Sequence, residues 1–96
     1  MPSFRITLAV GMLRAGVAPQ DVLPAAADAA RESTTVEAYD LDVVAGEARL
    51  TVRFTAADDE EAVLVAGRVG TAVAMLGDVR SRKLTRRWGA RWSPVR

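Results

Sequence analysis

"VEAYDLDVVAGEARLTVRFT", Val36 to Thr55, holds two runs of alternating apolar and polar residues on either side of Ala45-Gly46. Alternation with a period of two belongs to strands, because successive side chains point to opposite faces. A two-residue break containing glycine is what a tight hairpin needs. Folding the runs about Ala45-Gly46 sets Val44 opposite Glu47, Val43 opposite Ala48, Asp42 opposite Arg49, Leu41 opposite Leu50 and Tyr39 opposite Val52. Tyr39, Leu41, Val43, Leu50, Val52 and Phe54 then share one face. Asp40 and Asp42 fall on the other, opposite or diagonal to Arg49 and Arg53, with which they are expected to form structural charge pairs.

Upstream, "FRITLAV" alternates Phe4, Ile6, Leu8 and Val10 against Arg5, Thr7 and Ala9, the pattern of a half-buried strand. "APQDVLPAAADAARES" reads as a helix, with Asp21 as N-cap, Pro24 in the first turn where its missing N–H is not needed, and an alanine run of high helix propensity. Downstream, "DDEEAVLVAGRVGTAVAML" reads as a second helix. Asp58 and Glu61 have the spacing of a capping box, and Ala62, Val65, Val69, Ala72, Val73 and Leu76 make an apolar stripe. Gly67 and Gly70 should each cost about 1 kcal/mol in a helix interior, so close backbone packing against the alanine-rich first helix or the sheet is expected there. Gly77 reads as the C-cap. In "DVRSRKLTRRW" Val79 has the opposite parity to Leu84 and Trp88, which calls for a late strand start or a bulge near Arg82-Lys83.

The element order, strand-helix-strand-strand-helix-strand, resembles the ferredoxin-like split βαβ plan. The resemblance implies an α+β sandwich: a four-stranded antiparallel sheet in the order 4-1-3-2, two helices on one face and the other face open. Residues 1–90 read as one such domain and 91–96 as an extended basic tail.

Ninety-six residues without cysteine or histidine lack disulfides, thiolate or imidazole metal ligands, and every Ser-His-Asp or Cys-His arrangement. Gly11 and Gly16 have phosphate-loop spacing, but Val17-Ala18 stands where Lys and Ser or Thr would meet phosphate and magnesium. No run approaches the ~20 apolar residues of a membrane span. Arg5 before the apolar stretch Ile6–Leu13 resembles a short signal core, yet Thr7, Gly11, Arg14 and the alternation favour a strand. A cytoplasmic protein without cofactors or enzymatic activity is the expectation. An enzyme using Asp40 or Asp42 is the distant alternative.

Charge is divided unevenly. Residues 1–78 carry six arginines against twelve acids, whereas residues 79–96 carry six arginines, one lysine and no acid. Such a split suits a self-complementary dimer, a basic arm or internal ion pairing. The candidate contact residues are therefore Arg80, Arg82, Arg86, Arg87, Trp88, Arg91 and Trp92, with Lys83 and Arg96 adding charge. The leading expectation is a homodimer or a subunit anchor in which the tryptophans pin this segment down. An acidic protein partner follows, and nucleic acid comes next, with phosphates on the arginines and a base against Trp88 or Trp92. The outward positions of the two central strands would be Arg5, Thr7, Ala9, Arg49, Thr51 and Arg53, with no aromatic to stack bases as an RNA-recognition motif does.

Overall fold

The computed structural model describes residues 1–95. Its elements are strand β1 (Ser3–Leu13), a short 3-10 turn (Pro19–Asp21), helix α1 (Val22–Arg31), strands β2 (Val36–Val44) and β3 (Glu47–Thr55), helix α2 (Asp59–Ala74), and strands β4 (Gly77–Trp88) and β5 (Arg91–Pro94). The strands form one antiparallel sheet in the order β2-β3-β1-β4-β5. The fold is thus α+β.

The β2–β3 hairpin has the register that its alternation dictates, from Val44 opposite Glu47 to Tyr39 opposite Val52. Ala45 and Gly46 both take positive φ, 53° and 78°, the conformation of a two-residue hairpin turn whose twist matches the flanking strands. A bulge at Glu37 then shifts the ladder before Val36 meets Phe54.

The core lies between one sheet face and the helices. Phe4, Ile6, Leu8 and Val10 of β1 and Leu50, Val52 and Phe54 of β3 are buried against Val22, Ala26 and Ala30 of α1 and Ala62, Val65, Val69 and Val73 of α2. Alanines on the facing sides of the helices allow close approach, and the Phe4 and Phe54 rings stack at 5.9 Å at one end. The stripe expected on α2 faces inward, and the Asp58 side chain accepts a hydrogen bond from the Glu61 N–H at 2.8 Å. No helix among the described residues is long and apolar enough to cross a membrane.

Five expectations need correction. The sheet has five strands, not four, because the residues read as an extended tail turn back at Gly89-Ala90 and pair with β4, with Trp92 opposite Arg87 and Arg91 opposite Trp88. Gly89, at φ 61°, supplies the glycine-first turn that such a short connection requires. The parity change in β4 is a bulge at Arg80, between the Ala9–Ser81 and Val10–Val79 pairs, so the strand starts early and runs through. Gly77 does not cap α2. It is buried at the start of β4, where a Cβ would come within 2.9 Å of the Leu13 side chain. Asp21 precedes α1 without a side-chain cap, since the chain enters the helix through the 3-10 turn. Finally, Gly70 lies under the flexible guanidinium of Arg82 and Gly67 faces open space, so the expected close backbone packing is met at neither.

Candidate functional site

Pairing parity divides the C-terminal hairpin between the two sheet faces. Leu84, Arg86 and Trp88 lie opposite or in line with Ile6 and Phe4, on the helical side, whereas Lys83, Thr85, Arg87 and Trp92 share the open side with Arg5 and Thr7. The two tryptophans therefore do not form one patch.

On the helical side, Arg86 is part of the fold. Arg86 Nη1 donates to Asp59 Oδ1 at 2.7 Å, and its guanidinium carbon lies 4.0 Å from the Trp88 ring centroid and 5.6 Å from that of Phe4. Asp59 stands in the first turn of α2, where the helix dipole already favours a carboxylate. Arg86 thereby ties β4 to the start of α2, while Trp88 stays 55% exposed. Arg82 lays its guanidinium over Gly70, and Arg80 packs against Gly11. Arg91 is exposed opposite Trp88. Arg96 lies outside the described residues.

On the open side, Trp92 is half-buried against the sheet. The Arg5 guanidinium stacks 3.8 Å from its ring centroid and that of Arg53 lies at 5.4 Å. Arg53 Nε also donates to Glu37 Oε1 at 3.3 Å, an oxygen that accepts from the Ser3 hydroxyl at 2.6 Å. The serine hydrogen bond, with help from Arg53, holds the Glu37 carboxyl below its ordinary pKa, against the opposing effect of partial burial. Beside this cluster, Thr7 and Thr51 hydroxyls meet at 3.3 Å in the floor of a shallow depression of about 340 Å³, bordered by Arg5, Arg53 and Asp40. Lys83, Arg87 and Arg49 are exposed on the same face.

The charge pairs expected in the hairpin are absent among the described residues. Asp42 does sit opposite Arg49. However, an edge strand leaves alternate N–H groups without a strand partner, and the Asp40 and Asp42 carboxylates accept from the N–H groups of Leu41 and Val43, at 2.9 and 2.8 Å. Arg53 bonds Glu37 in their place.

Two features escape a reading of the sequence. Trp92 supplies an aromatic to the open face from a strand that the element count omits. The apolar residues of β2 share the core parity but stay largely exposed: Tyr39 and Leu41 are each 47% exposed, with the Arg31 guanidinium 5.2 Å from the Tyr39 ring centroid, and Val43 is 65% exposed. Only Val36 of this strand is even partly buried, so β2 overhangs the helical layer. Among the described residues no cluster of three or more carboxylates is placed to hold a metal ion. No protein-family model matches the chain, nor does any curated protein or solved structure.

Proposed function

We propose that this protein acts by association, without catalysis, and that its first partner is a second copy of itself, joined edge to edge through β2. The observation that carries this reading is the exposure of Tyr39, Leu41 and Val43, apolar residues at alternate positions of a nine-residue sheet edge. Such an edge is a template for another strand, and proteins that avoid pairing shorten it or guard it with proline, lysine or inward charges. The opposite edge has those guards: β5 has four residues, ends in Pro94 and carries Arg91. β2 contains neither proline nor lysine, and its guards are a bulge at one end and the acids Glu37, Asp40 and Asp42.

Antiparallel self-pairing centred on Leu41 sets Leu41 opposite its copy and Tyr39 opposite the copy's Val43, so the apolar stripe is self-complementary about a two-fold axis. The N–H groups of Leu41 and Val43, now bonded only to neighbouring aspartates, face the free edge and would join the new ladder. An apolar cleft of about 190 Å³ beside Leu41, lined by Val10, Leu13, Val22 and Leu50, offers room for a partner's side chain. The opposing term is repulsion, since Asp40 would face the copy's Asp42 on the open side, with Arg49 as the nearest offset.

That balance fixes the sign of the test. Sedimentation at tens of micromolar protein should show a dimer that tightens as salt rises from about 0.1 to 0.5 M, because screening weakens the aspartate repulsion and leaves apolar burial intact. Leu41→Lys should give a folded monomer. A monomer at both salt levels would refute the reading, and a dimer loosened by salt would point to opposite-charge contacts elsewhere.

The order β4-β1-β3-β2 with both helices on one side supports taking residues 1–88 as a ferredoxin-like domain extended by β5. The absence of cysteine suits a cytoplasmic setting. On the helical side an acidic protein partner gains less support at Arg86, which Asp59 already neutralises, whereas Arg80, Arg82 and Arg91 remain exposed.

A further inference from the structure

The open sheet face is a second surface, independent of the β2 edge. Its charge is graded. Glu37, Asp40 and Asp42 line the β2 side, whereas Arg49 and Arg53 on β3, Arg5 on β1, and Lys83 and Arg87 on β4 spread five cations over the middle and far side. Of these, Arg53 alone forms an ion pair among the described residues. A desolvated protein partner would have to match such a face with fixed acids, and a small anion would use only two or three of the cations. The aromatic distinguishes the candidates further. Trp92 lies within this basic field with Arg5 stacked on its ring at 3.8 Å, and an indole beside a guanidinium plane is a stacking platform. Unpaired bases stack on aromatic rings and on arginine planes, and phosphates follow the surrounding cations.

We propose that this face binds single-stranded nucleic acid, with a base extending the Trp92–Arg5 stack and the backbone phosphates drawn to Arg5, Lys83, Arg87 and Arg49, which have no ion pair among the described residues. The Thr7 and Thr51 hydroxyls in the central depression lie between these cations and can donate to a phosphate or sugar oxygen. Recognition is of the strand, not of a sequence, since none of these groups is arranged to read a base edge. The acidic β2 side sets the limit of the track and directs the strand over β3, β1, β4 and β5.

The test uses the full chain and a fluorescent oligothymidylate of about ten nucleotides, long enough to span a binding face of this size. With roughly four phosphates engaged, the log–log salt slope should be about −3, so binding weakens on the order of fifty-fold between about 50 and 200 mM salt. The pair Arg49→Ala and Lys83→Ala should reduce that slope by about 1.4, while Arg68→Ala, on the outer side of α2, should leave it unchanged. Trp92→Leu should weaken binding by about ten-fold. Because that change could disturb packing, a Trp88→Phe chain, in which Trp92 is the sole tryptophan, gives an independent readout: oligothymidylate should quench its emission and heparin should not. Leu41→Lys should bind as the parent does, which separates this surface from the dimer edge. The proposal is overturned if oligothymidylate does not bind at low salt. It is equally overturned if blunt duplex, heparin or polyglutamate binds as tightly, or if Trp92 emission does not respond.

Discussion

At Arg86, three contacts converge on one guanidinium: the Asp59 carboxylate and the rings of Trp88 and Phe4. Their contributions separate by substitution. Asp59 is half-exposed, so Asp59→Asn should cost less than about 1 kcal/mol in urea unfolding. Arg86→Ala also removes the guanidinium held over the Trp88 and Phe4 rings and should cost more, about 1–3 kcal/mol. Glu37 yields a prediction about pH. Its folded pKa is depressed below the ordinary 4.5, so the stability it contributes is present above that value and is lost as pH falls through the lower folded value. Glu37→Gln should therefore flatten the acid limb of the stability–pH curve below about pH 4.5 and leave its slope at neutral pH unchanged. Asp58→Ala, which removes the carboxylate bonded to the Glu61 N–H, should destabilise by about 1 kcal/mol in the same assay.

Among elements, the two helices and the central hairpin were legible because each pattern had one solution. Slipping the β2–β3 register by one residue would put Tyr39, Leu41 and Val43 on the opposite face from Leu50, Val52 and Phe54, and Asp58 with Glu61 marks a helix start that local chemistry enforces. The parity change in β4 was legible from the clash of Val79 with Leu84, but not whether a late start or a bulge made it, nor the bulge's place: Arg80 settles against Gly11, a contact across strands that no local pattern encodes. β5 was missed because "RWSP" is too short to alternate and Gly-Ala is a weak turn signal, so only pairing with β4 defines it. The open-face site was legible in part, as the outward parity of Arg5, Thr7 and Arg53 was readable, while Trp92 arrives through that unseen strand. The exposure of β2 depends on how far a helix of only ten residues reaches, which alternation does not report. Within α2, the glycines lead to a sharp contrast. Gly67→Ala fills open space and should stabilise by about 0.5–1 kcal/mol in thermal or urea melts. Gly70→Ala should gain less, because Arg82 must first move off the helix.

For the whole molecule, the division of charge along the chain becomes a gradient across the sheet, acidic at β2 and basic towards β4 and β5. Pairing two copies through β2 would put the acids at the centre of a ten-stranded sheet and a basic face at each end, so association and strand binding would use separate regions. Truncation after Trp88 tests that separation. It removes β5 and Val95, whose N–H donates to the Leu84 carbonyl at 2.9 Å and whose side chain packs against the core. Stability should fall by about 1–3 kcal/mol, within the range of losing a small packed contact set. The exposed edge of β4 carries Arg82, Lys83, Arg86 and Arg87, charges that discourage edge-to-edge pairing, so the shortened chain should remain soluble. Its sedimentation should still show the dimer, since β2 is three strands away from the deletion. Oligothymidylate binding should weaken together with the loss of Trp92. A truncated chain that is folded yet monomeric, under conditions in which the full chain is dimeric, would move the interface to the C-terminal hairpin and refute the assignment to β2.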